Sequence, residues 1–235
     1  MTTSISIDQS QATPPLTEKQ RLSLQKDRLY SLINESTFST DRKTKLISMY
    51  DEYGDQLLEA PASSKEHYHN AYAGGYIDHI LHVHDCALEY TKTLKKMGGV
   101  LDYTKSELIM ATLHHDLWKL GLPGKPYYLF QDSDWHREKR GELFKHNDEL
   151  PFMEVTDGAL FILQSKSIEL TENEWLSIKL SDGLYDESNK SYLMNYGKFP
   201  IHSKLPYIVH WADHMSTSIE RDFLKLEFLQ GIGKI

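Results

Sequence analysis

Residues 111–121, ATLHHDLWKLG, set His114, His115 and Asp116 into a stretch whose other residues are almost all apolar. Leu108, Ile109, Met110, Leu113, Leu117 and Leu120 leave it no polar side, and a helix that is hydrophobic all round belongs in a core. An unpaired neutral polar group there costs on the order of 2–7 kcal/mol, and a charge more. A chain that folds this segment inward must therefore bring partners to three polar side chains.

Such an interior needs enough chain around it. The 235 residues, 40% of them hydrophobic, suffice for one large globular domain. The net charge of −8 disfavours a duplex nucleic acid, which needs a basic face, yet leaves room for a small phosphorylated ligand held by a few cations. The single cysteine, Cys86, excludes an internal disulfide and fits a reducing compartment. No apolar run approaches the roughly 18 residues of a membrane span, and MTTSISIDQSQATPP lacks the basic start and apolar core of a secretory signal. The expected location is the cytoplasm.

Residues 1–16, rich in Ser, Thr and Gln, read as a disordered tail, and residues 17–60 as two helices packing on the core. Residues 61–230 read as one globular unit. PASSKEHYHNAYAGG is a loop, followed by a long helix from Tyr76 to the Gly98–Gly99 pair. The opening segment starts a helix at Thr104, three residues before Glu107 as a capping box requires, and runs to Gly121. Residues 124–150 are polar and aromatic without a period and read as short strands or irregular loop. Helices resume at DGALFILQ and at Thr171, where Glu174 repeats the capping-box spacing, and the last runs from Ser203 or Leu205 to Leu229. The expected class is all-α, with one small hairpin or irregular insertion.

Three helices carry polar residues that do not suit their surroundings. His79 shares the stripe of Tyr76, Ile80, Val83 and Cys86 and faces inward, whereas His82 shares a face with Asp78, Asp85 and Glu89 and is expected in solvent. His115 and Asp116 leave their helix about 100° apart but can reach one point; His114 points away, and Lys119 lies one turn beyond His115. Asp213 sits at the rim of an apolar stripe formed by Ile208, Met215 and Ile219. A cation among His79, His115, Asp116 and Asp213 would neutralise the carboxylates and satisfy the imidazoles. Mixed N/O ligation without thiolate suits one divalent ion: Mn, Fe, Co, Ni, Zn or Mg.

GGYIDHILHV, HHDLWKLG and HWADHMS, in that order, resemble the successive signatures of the HD-domain metal-dependent phosphohydrolase superfamily, over roughly residues 60–220. The resemblance implies an HD-type helical bundle with His79, His115, Asp116 and Asp213 as metal ligands. It also implies Asp116 and Lys119 as catalytic residues. Leu117–Trp118 replaces the family's usual Ile-Gly, so Trp118 is expected to narrow the pocket, and Ser181 stands where some relatives carry histidine. His69, His136, His146 and His202 are left without a role.

The implied activity is hydrolysis of a phosphate ester or anhydride, with a nucleotide as the favoured substrate class. Lys119, Lys125, Arg137 and Arg140 are the candidate phosphate-binding cations. Tyr127, Tyr128 and Trp135 are candidates for stacking a base, and HREKRGE also reads as a solvated charged loop. Two alternatives keep the fold: a di-iron oxygenase, which needs about six ligands, and a catalytically silent nucleotide-sensing module.

Overall fold

The computed structural model describes residues 16–194 and 201–231, so all but the last residue of the expected tail at 1–16 lies outside the described residues. The architecture is all-α with one two-stranded antiparallel sheet. Helices α1 (Glu18–Glu35) and α2 (Thr40–Tyr53) lead through a single turn, α3 (Gln56–Glu59), into a loop and the long α4 (Gly75–Lys96). Then come α5 (Lys105–His114), a 3-10 turn (Leu117–Leu120), β1 (Tyr128–Phe130), α6 (Asp134–Arg140) and β2 (Phe144–His146). Helices α7 (Val155–Ser165), α8 (Glu172–Lys179), α9 (Lys190–Leu193) and α10 (Leu205–Gly231) complete the order. Among the described residues no helix is long and apolar enough to cross a membrane.

Four helices close a ring in which α4 packs on α5, α5 on α8, α8 on α10 and α10 back on α4. Each enters it with a defined start. Thr104–Glu107 and Thr171–Glu174 form the expected reciprocal capping boxes of α5 and α8. Asp102 begins α10, accepting the Lys204 backbone N–H at 2.9 Å and the Lys204 ammonium at 2.6 Å. The Gly74–Gly75 pair begins α4: Gly74 holds φ at +83°, and a Cβ on Gly75 would lie 2.0 Å from the Asn70 carbonyl oxygen. One turn later the helix presents His79. Leu29 and Ile33 of α1 and Leu46, Met49 and Tyr50 of α2 enter the same core, and Arg21–Asp78 and Arg28–Asp85 ion pairs fasten α1 to α4.

The structure corrects four expectations. The helix of the opening segment ends at His114, not at Gly121: Asp116 takes φ −102°, ψ 14°, and the chain tightens into the 3-10 turn. Two tyrosines of α2 stabilise that break, Tyr50 donating to the Leu113 carbonyl and Tyr53 to that of Gly121. Trp118 does not narrow a pocket; it is fully buried against α7, edge-on to Tyr127 and Phe161. HREKRGE is mostly helix rather than loop, since Ser133 accepts the His136 N–H and Gly141 closes α6. The inward face of α10 is Leu205, Ile208, Val209, Ala212, Ser216 and Glu220, with Met215 exposed.

Trp118 reaches α7 because residue 158 is glycine, where a Cβ would lie 2.2 Å from the indole Cγ. Gly158→Ala should therefore overpack the contact by about 1–3 kcal/mol. Melting temperature should fall by roughly 2–4 °C per kcal/mol, and Trp118→Phe in the same chain should restore part of the loss. An unchanged melting temperature in Gly158→Ala would show that α7 does not seat on this turn.

Candidate metal centre

His79 comes from α4, His115 and Asp116 from the broken end of α5, and Asp213 from the middle of α10. They meet in the ring. His79 Nε2 lies 3.1 Å from Asp213 Oδ1 and 3.4 Å from Asp116 Oδ2. His115 Nε2 lies 3.6 Å from Asp116 Oδ2 and 3.7 Å from Asp213 Oδ1. The two imidazoles and Asp116 are buried, and Asp213 stands at the rim as its sequence position suggested.

Both histidines are oriented by what their other nitrogen does. His79 Nδ1 faces the Glu220 carboxylate at 3.0 Å, and His115 Nδ1 faces the Thr112 carbonyl at 2.9 Å. A carbonyl, like an ionised carboxylate, only accepts, so each ring carries hydrogen on Nδ1 and turns Nε2 toward the two aspartates.

The protein groups alone leave this cluster strained electrostatically, and protons do what a cation would do. Burial disfavours a charged His79, but Glu220 and Asp213 outweigh it and hold its pKa up at about 10. His115 is raised as well, against its burial, chiefly by Asp116. Burial disfavours the Asp213 carboxylate, yet the two histidines hold its pKa well below the ordinary range. Glu220 is likewise held at about 2 against its burial, mainly by His79.

The donor set fits a divalent cation. Ligands at bonds of about 2.1 Å lie about 3.0 Å apart at octahedral right angles and about 3.4 Å apart in a tetrahedron, close to the four separations above. His115 Nε2 is buried with no hydrogen-bond partner, and Asp116 Oδ2 has the Lys119 ammonium at 2.7 Å but no hydrogen bond of good angle. The Glu220–His79 contact is the carboxylate support that metal-ligating histidines commonly receive.

Several neighbours were not legible as site residues in the sequence. Glu220 lies seven residues beyond Asp213, two turns along one helix face, a spacing that marks it once Asp213 is a candidate. His82, expected in solvent, is about a quarter exposed and places Nδ1 2.8 Å from Glu220. His69 packs its ring 4.6 Å from that of His79, its Nε2 is buried without a partner, and burial together with His79 and Lys119 pushes its pKa down to about 3. His69, His79 and Glu220 form a second group of donors, sharing His79 with the first. Asp182 has its pKa pushed up to about 6 by burial and by Asp116 and Asp213; its one signal in the sequence is its position beside Ser181, where some HD-domain proteins carry histidine.

The other candidates lie elsewhere. His114 donates Nδ1–H to the Met110 carbonyl at 2.7 Å and packs near Tyr50, as its direction on the helix implied. Lys119 lines a cavity of about 540 Å³ together with residues of α3 and the hairpin. Lys125 pairs with Glu149 at 3.4 Å, Arg140 with Glu142 at 3.1 Å, and Arg137 with Asp134 and the Gln131 carbonyl. The structure thus gathers Lys119 with the four candidate ligands but gives the other three cations carboxylate partners outside that cluster. His136 rests on Ser133, His146 on Tyr127 and Tyr128, and His202 is exposed. A shallow groove of about 620 Å³ between α4 and α10 does not reach the four ligands. Comparison with protein-family models, curated proteins and solved structures gives no match to this chain.

Glu220→Gln tests the orienting contact. The amide can still accept from His79 but no longer offers a charge, and loss of such support typically weakens metal binding 10–100-fold. Mn²⁺ titration calorimetry should show that loss with an unaltered circular dichroism spectrum. Wild-type affinity in Glu220→Gln would remove Glu220 from the site.

Proposed function

We propose that this chain is a metal-dependent phosphohydrolase of the HD type, cleaving a phosphate ester or anhydride of a nucleotide. One observation carries the reading: His79, His115, Asp116 and Asp213, in the order H…HD…D, come from three separated helical segments and present Nε2 and carboxylate oxygens within 3.7 Å of their neighbours. A divalent cation held by these four supplies charge neutralisation and Lewis-acid polarisation of the phosphoryl group.

The chain's own residues do the rest. Lys119 touches Asp116 on one side and lines the adjoining cavity on the other, so its ammonium can meet a phosphoryl oxygen beside the cluster. Asp116 raises the lysine pKa against burial, which keeps it cationic at any working pH. Its role is to stabilise negative charge on the phosphoryl oxygens as the bond to the leaving group breaks. Glu220 and the Thr112 carbonyl hold the two imidazoles in place throughout. With Lys125, Arg137 and Arg140 paired elsewhere, Lys119 is the cation that geometry supports for phosphate. We keep one ion: His136, His146 and His202 do not join the cluster, and the second donor group of His69, His79 and Glu220 shares His79, whose Nδ1 is already taken by Glu220.

A panel of nucleotides incubated with Mn²⁺, Mg²⁺, Co²⁺ and Ni²⁺ should release phosphate or nucleoside monophosphate with at least one ion. In Lys119→Met, kcat should fall ~10²-fold, the scale of one lost electrostatic donor, while metal content stays near wild type. Near-normal turnover with a lowered melting temperature would instead make Lys119 a helix-terminal charge. No metal-dependent turnover of any phosphorylated compound would favour the sensing module.

A further inference from the structure

The cavity beside Lys119 is built largely from parts outside the HD-like motifs. Its wall is the small hairpin. In β1, Tyr128 and Phe130 are two residues apart and so share one face of the strand, and Phe144 stands opposite Phe130 in the register. All three residues line the cavity. Phe130 is 65% exposed, with the Arg137 guanidinium over its ring 5.2 Å from the centroid. Its ring meets Phe144 edge-on at 6.3 Å. Helix α3 adds Gln56 and Glu59 to the lining. Gln56 is committed: its amide donates to the Leu120 and Leu122 carbonyls and its oxygen accepts the Gly124 N–H. Glu59 is exposed, with no side-chain hydrogen-bond or ion-pair partner among the described residues.

The cavity is therefore lined by a cation, by aromatic residues and by a carboxylate with no partner among the described residues. Its volume of about 540 Å³ is within the range of small-molecule sites. Aromatic rings stack any base, whereas a carboxylate only accepts hydrogen bonds. Among the four nucleobases, guanine alone offers two adjacent donors, N1–H and the 2-amino group, to one carboxylate. Adenine and cytosine set an acceptor beside their amino group, and uracil flanks its one N–H with two carbonyls.

We infer that this cavity is the base subsite of the proposed site and that Glu59, with the Tyr128, Phe130 and Phe144 wall, selects guanine nucleotides. The inference rests on the phosphohydrolase reading for the placement of phosphate at Lys119.

Calorimetric titration of the full chain with guanosine, adenosine, cytidine and uridine tests it, because nucleosides report base recognition without the reaction. Guanosine should bind at least tenfold tighter than adenosine. Glu59→Gln, at an exposed position, should erase that margin, since its amide pairs an acceptor with a donor as adenine's edge does. Phe130→Ala should weaken all four nucleosides at least fivefold. Equal affinity for the four, no binding of any, or a guanosine preference that survives Glu59→Gln would overturn the inference. Hydrolysis of p-nitrophenyl phosphate by the wild-type chain with Mn²⁺ is measured beside it. Turnover without base preference overturns the base subsite alone, and guanosine preference without turnover contradicts the phosphohydrolase reading alone.

Discussion

Two carboxylates and two imidazoles meeting inside a helical ring is the constraint on which the rest of this structure turns. Asp116 Oδ2 and Asp213 Oδ1 each lie within 3.7 Å of both Nε2 atoms. Buried carboxylates are costly in a low-dielectric interior unless positive charge stands beside them. Hydrophobic burial alone would exclude such a group. The ring keeps it because each histidine is held from behind by an acceptor, leaving the front of the cluster to a positive charge.

The fold meets this constraint with backbone devices more than with packing. A bulkier residue at 75 would collide with Asn70 and displace the start of α4, one turn before His79. The end of α5 is equally specific. The chain leaves α5 after His114, and within the 3-10 turn that follows Lys119 pairs with Asp116 at 2.7 Å. Helix α10 carries both Asp213 and Glu220, so it orients His79 from Nε2 and Nδ1 at once. Mechanically, α4 and α10 are one clamp around that imidazole.

Much of this was legible in the sequence, and the failures have physical causes. Helical class and the capping boxes at Thr104 and Thr171 derive from local periodicity and turn chemistry, whereas the aperiodic residues 124–150 left a hairpin and an irregular insertion equally open. The four polar intruders stood out because a core has no other use for them. The end of α5 was not legible because tyrosines of α2 contact the Leu113 and Gly121 carbonyls, and nothing local announces them. Trp118 was misplaced because its void is made by a glycine forty residues away. His82 was assigned to solvent from its helix neighbours, while the carboxylate that engages it belongs to α10. Glu59 drew no notice at all: its interest comes only from the cavity lining it shares with the aromatic hairpin.

The central claim is that the cluster is a cation site, with the helices arranged to hold it. Crystals grown with Mn²⁺ and measured at a wavelength sensitive to its anomalous scattering test this most directly. The account predicts one strong anomalous peak among His79 Nε2, His115 Nε2, Asp116 and Asp213, at about 2.0–2.3 Å from the ligand atoms. A peak between His69 and Glu220 instead, or none near His115 in crystals soaked at millimolar Mn²⁺, would contradict it.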